Sequence, residues 1–279
     1  MSQPRAATPV LPVLDIGPAR DRFAADEPPG PVLQQWLDVA GRLVASGGRD
    51  ARAWWMHWPR LGTYVFASEG PVRAEPRGAG LDATLTDSFV RGVAPIVMLA
   101  RGHEAFHASA VSDARGVFAF CATSGTGKST IALAVAAAGL SHWADDTVVY
   151  RVIAGNPLAI RMPCPARVDD DARRAIGEAP IPRDGAAERP LRRIYLLVRD
   201  ASVDPRRPAI DLVPALERFN RLLVHAHPFD LDGDGRRRRF VESLLAVASQ
   251  VEVCECRFAP SLESLPALAR AVRAHVEAA

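Results

Sequence analysis

The chain has 279 residues, enough for one large α/β domain or for a domain of about 180 residues with a smaller partner. Its 48% apolar and 24% charged residues are those of a globular protein, and a formal charge of +2 gives no concentrated basic face for nucleic acid. No segment reads as long and apolar enough to span a membrane, the stretch from Met1 to Pro18 lacks a signal-type apolar core, and four cysteines without a CxxC pair read as free, mostly buried thiols. A cytoplasmic protein is expected.

Residues 1 to about 30 are rich in Pro, Ala and Asp and predict a loose lead-in with at most a short strand around Val10 to Ile16. Pro31 to Ala45 carries apolar residues at helical spacing and ends at Gly47-Gly48, which predicts an amphipathic helix. Arg52 to Trp58 and Leu61 to Ser68 predict an antiparallel hairpin in which Trp54, Trp55, His57 and Trp58 are packing residues. Thr84 to Ala100 predicts a buried helix that Pro95 kinks or divides. Ala105 to Val111, a Ser-Asp-Ala-Arg-Gly turn and Val117 to Cys121 predict a hairpin whose second strand runs directly into a glycine-rich turn.

Beyond that turn, Thr130 to Ala138 predicts a helix, Leu140 to Ala144 a strand reaching Asp145-Asp146, and Thr147 to Ile153 and Leu158 to Met162 a pair of strands. A short helix is expected at 170 to 177, and the polar stretch 178 to 190 is a candidate mobile gate. Ile194 to Val198, Ile210 to Val213 and Val251 to Phe258 predict strands, Pro214 to His225 and Arg237 to Ala248 helices, and Ser261 caps a final helix. Asp230 to Gly235 resembles the start of a calcium loop, but Val241 stands where the bidentate glutamate belongs, so a polar turn before a helix is expected. The basic start of that helix reads as a solvated face, with contact to an acidic peptide as the alternative.

The chemistry concentrates in Phe120-Cys-Ala-Thr-Ser-Gly-Thr-Gly-Lys-Ser-Thr130, a strand, a glycine-rich turn and a helix start. The spacing fits a phosphate-binding loop with Ala122 in place of the first glycine. Ser124, Gly125, Thr126, Gly127, Lys128, Ser129 and Thr130 would surround the phosphates, Gly125 and Gly127 allowing positive φ. Lys128, the only lysine among 34 basic residues, would reach the β and γ phosphates of ATP, and the Ser129 hydroxyl would ligate Mg²⁺. Asp145 and Asp146 follow one helix and one strand later. Asp145 is expected to accept a proton from an attacking hydroxyl and Asp146 to steady the metal, although the order is open to reversal. His107 lies across the hairpin from the loop, where it would stabilise charge or orient the acid pair. Arg161, Arg192 and Arg193 are further candidates for phosphate.

Together, His-Ala-Ser-Ala-Val, the strand into Cys-Ala-Thr-Ser-Gly-Thr-Gly-Lys-Ser-Thr, and Trp-Ala-Asp-Asp resemble the HPr serine kinase/phosphorylase catalytic domain. More narrowly, they are similar to the stand-alone HPr-kinase-like proteins of bacterial lasso-peptide gene clusters. Asp87-Ser-Phe-Val-Arg-Gly92, Arg101-Gly-His-Glu104 and the closing segment Val251 to Pro266 extend the likeness over most of the chain, weakly before residue 80. The resemblance implies an α/β P-loop catalytic domain at 101–279 with a small α+β module at 1–100. It implies an enzyme that moves the γ-phosphoryl group of ATP to a serine, with the aspartate of the Asp-Asp motif (Asp145) as base and His107 beside it. The acceptor it implies is a serine of a precursor peptide, often the C-terminal one, and HPr kinases being hexamers, a homo-oligomer is compatible with it. The glutamate-containing glycine-rich signature of true HPr kinases is not evident. Two other readings stay open: an HPr-type kinase/phosphorylase on a folded carrier, and a nucleotide-binding regulatory module without phosphoryl transfer.

Overall fold

The computed structural model describes residues 11–18, 30–38, 40–164, 170–176 and 184–278. These form two compact units, Val10–His103 with Pro228–Asp232, and Glu104–His227 with the chain from Gly233 onward. The fold is mixed α/β.

The first unit contains a six-stranded sheet of β1 (Leu14–Ile16), β2 (Val32–Leu37), β3 (Leu43–Arg49), β4 (Trp54–Trp58), β5 (Gly62–Phe66) and β6 (Val72–Pro76), in the order β1-β6-β5-β4-β3-β2. The expected aromatic hairpin is β4–β5, with Trp54 opposite Phe66. Trp55 and His57 are buried, and His57 Nδ1 lies 2.8 Å from the Thr63 hydroxyl.

The helix expected over Pro31 to Ala45 is instead the β2–β3 hairpin. Its apolar residues satisfy helical spacing, but the local chemistry favours a turn. Asp38 Oδ1 accepts from the backbone N–H groups of Ala40 and Arg42, and Gly41 takes a φ of 76°. Gly47 and Gly48 lie inside β3 rather than ending a helix. A Cβ on Gly48 would stand 2.0 Å from the Pro31 carbonyl and 2.3 Å from the Trp55 ring, so the glycine leaves room for both.

α1 (Asp82–Ser88), a π-helical turn (Phe89–Val93) and α2 (Ala94–Ala100) run as one helix. Pro95 does not divide it, because the widened turn just before the ring accommodates the missing N–H. This corrects a second expectation: undivided, Asp82–Ala100 is long and apolar enough to cross a membrane. Half of its apolar window is buried in the protein, and the Tyr64 hydroxyl donates to the Leu85 carbonyl at 2.8 Å. Pro228–Asp232 belongs to this unit through the buried Phe229 and through Asp230, whose Oδ2 accepts from Trp54 Nε1 at 2.6 Å and Arg49 Nη1 at 3.0 Å.

The second unit has β7 (Glu104–Phe106), β8 (Ala108–Asp113), β9 (Gly116–Cys121), β10 (Ser141–Ala144), β11 (Val148–Ile153), β12 (Asn156–Ile160), β13 (Glu188–Arg199), β14 (Ala209–Leu212) and β15 (Glu252–Phe258). Its helices are α3 (Lys128–Ala137), α4 (Asp170–Ile176), α5 (Ala215–Leu223), α6 (Asp234–Gln250) and α7 (Leu265–Glu277). β8 and β9 form the expected hairpin, and β13 lies parallel to both β9 and β15. Alternation along β9 separates two cores. Val117, Ala119 and Cys121 pack with Leu222 of α5 and Leu244 of α6, whereas Phe118, Phe120 and Ala122 pack with Ile131 of α3 and Leu268 of α7. Helices thus cover both faces of the sheet, and β9, β13 and β15 deliver their carboxyl ends to one edge.

Of the expected gate at 178–190, residues 178–183 lie outside the described residues. The remainder is not a free loop. Asp184 is buried against Ser112 and Arg189, and Glu188 to Pro190 pair with β12 as the start of β13, because their backbone groups complete that ladder. The final helix starts at Leu265; Ser261 caps a 3₁₀ turn, Leu262–Ser264, ahead of it. Cys121, Cys254 and Cys256 are free and buried, and Cys164 is partly exposed.

Candidate functional site

β9 ends at Cys121, and the next six residues turn the chain into α3. Gly125 and Gly127 adopt φ of 80° and 98°. A Cβ on Gly125 would meet nothing within 4 Å and one on Gly127 nothing closer than 3.8 Å, so glycine is needed here for its backbone conformation rather than for space. The loop is braced by Thr126 N–H on the Thr123 carbonyl at 3.3 Å and by the two threonine hydroxyls 3.1 Å apart. The helix then begins with Ile131 N–H on the Gly127 carbonyl, leaving the N–H groups of its first turn and the positive end of its dipole at the loop.

Lys128 is 7% exposed and bends back over the loop, with Nζ donating to the Ala122 carbonyl at 3.1 Å and lying 3.0 Å from His107 Nε2. Burial lowers its proton affinity, opposed by Asp146, Cys121 and Asp145. An ammonium has no acceptor, so Nε2 accepts and the imidazole proton sits on Nδ1. Nδ1 is 3.0 Å from the Asp146 carbonyl and 3.3 Å from its Oδ1. The structure therefore brings His107, Lys128 and Asp146 together.

The two aspartates separate at a bend just after β10, not in an extended strand. Asp145 is 6% exposed, and its Oδ1 accepts from the Ser109 hydroxyl at 2.8 Å. Asp146 has a positive φ of 65°, its side chain is 68% exposed, and its carbonyl accepts from Ala108 N–H at 3.2 Å. That backbone bond fixes the carboxylate beside His107.

A cavity of about 550 Å³ opens over the loop. Ser124, Gly125, Thr126, Gly127, Lys128, Ser129, Thr130, His107 and Asp146 all line it, and Asp145 does not. Arg161, Arg192 and Arg193 do not line it either. Arg193 is buried midway along β13, where Nη1 donates to the His275 carbonyl at 2.7 Å and Nε pairs with Glu252 at 2.7 Å. Arg192 donates to the Arg115 carbonyl.

The arginine that does reach the cavity, Arg199, is absent from the sequence expectations. It ends β13, and its Nε donates to the Thr126 carbonyl at 3.2 Å. The signal was present: Arg199 follows the expected strand Ile194 to Val198, and ligands in parallel sheets bind beyond the carboxyl ends of strands. The segment from the end of β15 to the start of α7 lines the cavity with Phe258, Pro260, Leu262, Leu265 and Leu268, interleaved with Ser261 and Ser264. Asp171 and Ala172 of α4 complete it.

No family model matches the sequence, and no curated protein matches it. Solved structures similar to this chain include the Hpr(Ser) kinase/phosphatase from Coxiella burnetii, at 14% identity and a TM-score of 0.35, covering 62% of this chain and 97% of that chain.

Proposed function

We propose that this chain is a kinase that transfers the γ-phosphoryl group of ATP to a serine hydroxyl of a precursor peptide. The observation that carries the transfer is the cluster at the cavity rim, where Lys128 Nζ, His107 and the Asp146 carboxylate adjoin a turn of two positive-φ glycines at a helix start. The peptide acceptor is supported by the resemblance of the His-Ala-Ser-Ala-Val, glycine-rich and Trp-Ala-Asp-Asp motifs.

The residues present fit the nucleotide. The loop supplies backbone N–H groups and one ammonium for phosphate, Arg199 supplies a guanidinium, and Phe258, Leu265 and Leu268 suit a base. They also fit Mg²⁺, because the Ser129 hydroxyl is a hard oxygen donor on the same cavity, and this ion keeps several waters and needs only one or two protein oxygens beside the phosphates. When bound, the ion would neutralise charge on the β and γ phosphates.

Catalysis then consists mainly of positioning and of charge stabilisation by Lys128 and the loop amides. Of the two carboxylates, Asp146 is the one that faces the cavity and meets an incoming hydroxyl, so we assign it the proton-accepting role that sequence alone gave to Asp145. His107 donates through Nδ1 to Asp146 and accepts from Lys128, which holds all three groups in one orientation. Asp145, held by Ser109, supports the turn from behind.

The test is intact-mass measurement of candidate serine peptides, and of the folded carrier HPr, after incubation with Mg-ATP. Gain of one phosphoryl mass on a peptide, lost in Lys128→Ala and Asp146→Asn, is the expected result. Modification of HPr alone would replace the peptide acceptor with a folded carrier. Tight ATP binding with no transfer to either would point to a regulatory module.

A further inference from the structure

Residues 105–107 and 225–227 form a short antiparallel ladder that no sequence pattern announced. Phe106 bridges Ala226, His107 N–H donates to the His225 carbonyl at 2.8 Å, and His227 N–H donates to the Ala105 carbonyl at 2.8 Å. Directly opposed residues in such a ladder share a face, with Cβ atoms about 4.5–5.5 Å apart. Phe106 is fully buried in the core on one face, so His107 and His225 are cross-strand neighbours on the other. His107 on that face contacts Lys128 Nζ.

We propose that His225 is a proton-taking partner of the phosphate site, gaining a proton from solvent when a polyphosphate occupies the loop. This rests on the kinase reading and adds to it a residue and a proton linkage. The groups that face His225 are His107 from the end of β7, Lys128 from α3 and Arg221 from α5. His227 follows on its own segment, and Asp146 stands beyond His107. Burial, and after it the charges of Lys128 and Arg221, hold the His225 imidazole below its ordinary range. A polyanion seated against Lys128 reverses the field that His225 feels, and an opposite charge favours the protonated form. The imidazolium so formed adds a second cation beside His107, within the electrostatic reach of Lys128.

The sign of the pH dependence follows. Because the proton affinity of His225 is higher in the complex, nucleotide binds more tightly at acid pH, and the gain is lost as pH rises through the raised bound-state value. The experiment is calorimetric titration of the full chain with Mg²⁺ and the β,γ-imido analogue of ATP at pH 6.5, in buffers of different ionisation enthalpy. The wild type should take up about half a proton more than His225→Asn, and the His225 imidazole resonance should titrate at higher pH with the analogue bound than without. Equal uptake by both proteins, or an imidazole titration unchanged by the analogue, overturns the proposal while leaving nucleotide binding intact. Failure of the wild type to bind the analogue overturns the kinase reading and this proposal with it. Should His225→Asn fail to fold, the wild-type imidazole titration alone decides.

Discussion

Lys128 shows how much one side chain depends on its setting. Its stem is buried, its ammonium is held by the Ala122 carbonyl and His107, and its position over the loop suits a compact point charge. Lys128→Ala should lower phosphoryl transfer by about 100-fold or more, and Lys128→Arg should restore little of it, as measured by initial rates with Mg-ATP. A planar guanidinium cannot occupy the space between Ala122 and His107. Arg199 acts from the other side, with one nitrogen on the loop carbonyl and the remaining donors toward the cavity. Arg199→Ala should weaken binding of Mg-ATP by roughly tenfold, the loss of one charged hydrogen bond, with Arg199→Lys recovering only part. An unchanged dissociation constant would remove Arg199 from the nucleotide site.

At the scale of elements, the strand that carries His107 is secured by a buried ion pair. Arg236 at the start of α6 meets Glu104 of β7 in a fork, Nη1 to Oε1 at 2.6 Å and Nη2 to Oε2 at 3.0 Å, with side chains 11% and 4% exposed. Burial pushes the Glu104 carboxyl up against the opposing pull of Arg236 and Arg239. Such pairs add little net stability when intact but are costly to break, since the survivor is left charged in the interior. Arg236→Ala should therefore destabilise the protein by about 3–5 kcal/mol in urea unfolding. Replacing both partners, Glu104→Gln with Arg236→Met, should recover most of that loss. If the single and double variants are equally unstable, the pair is not what holds β7.

At the scale of the whole molecule, the site draws on the ends of β9, β13 and β15, the start of α3, the β10–β11 turn and α7, all within the second unit. Ligand at 100 times its dissociation constant stabilises the folded state by about 2.7 kcal/mol. Mg²⁺ with the imido analogue should therefore raise the calorimetric unfolding temperature of this unit by roughly 5–10 °C. Lys128→Ala should show little shift. A wild-type midpoint that does not move at saturating analogue would count against the loop as a nucleotide site.

The loop itself was legible in the sequence because its chemistry is local: glycines for positive φ, a lysine and a hydroxyl at fixed spacing, and a helix start are all set within eleven residues. The β4–β5 and β8–β9 hairpins were legible for the same reason, each being bounded by its own turn residues. Tertiary structure decided what depends on neighbours distant in the chain. Pro31 to Ala45 satisfies helical periodicity yet becomes a hairpin, because the Asp38 turn reverses the chain and β3 then pairs with β4, where Gly48 lies against the Trp55 ring. Asp145 and Asp146 are equivalent by composition, and only the pairing of β10 with β8 sends one to Ser109 and the other to His107. Arg199 reaches the loop, and His225 reaches His107, through strand pairings that join residues about 70 and 120 positions apart, a distance at which sequence spacing carries no geometric information.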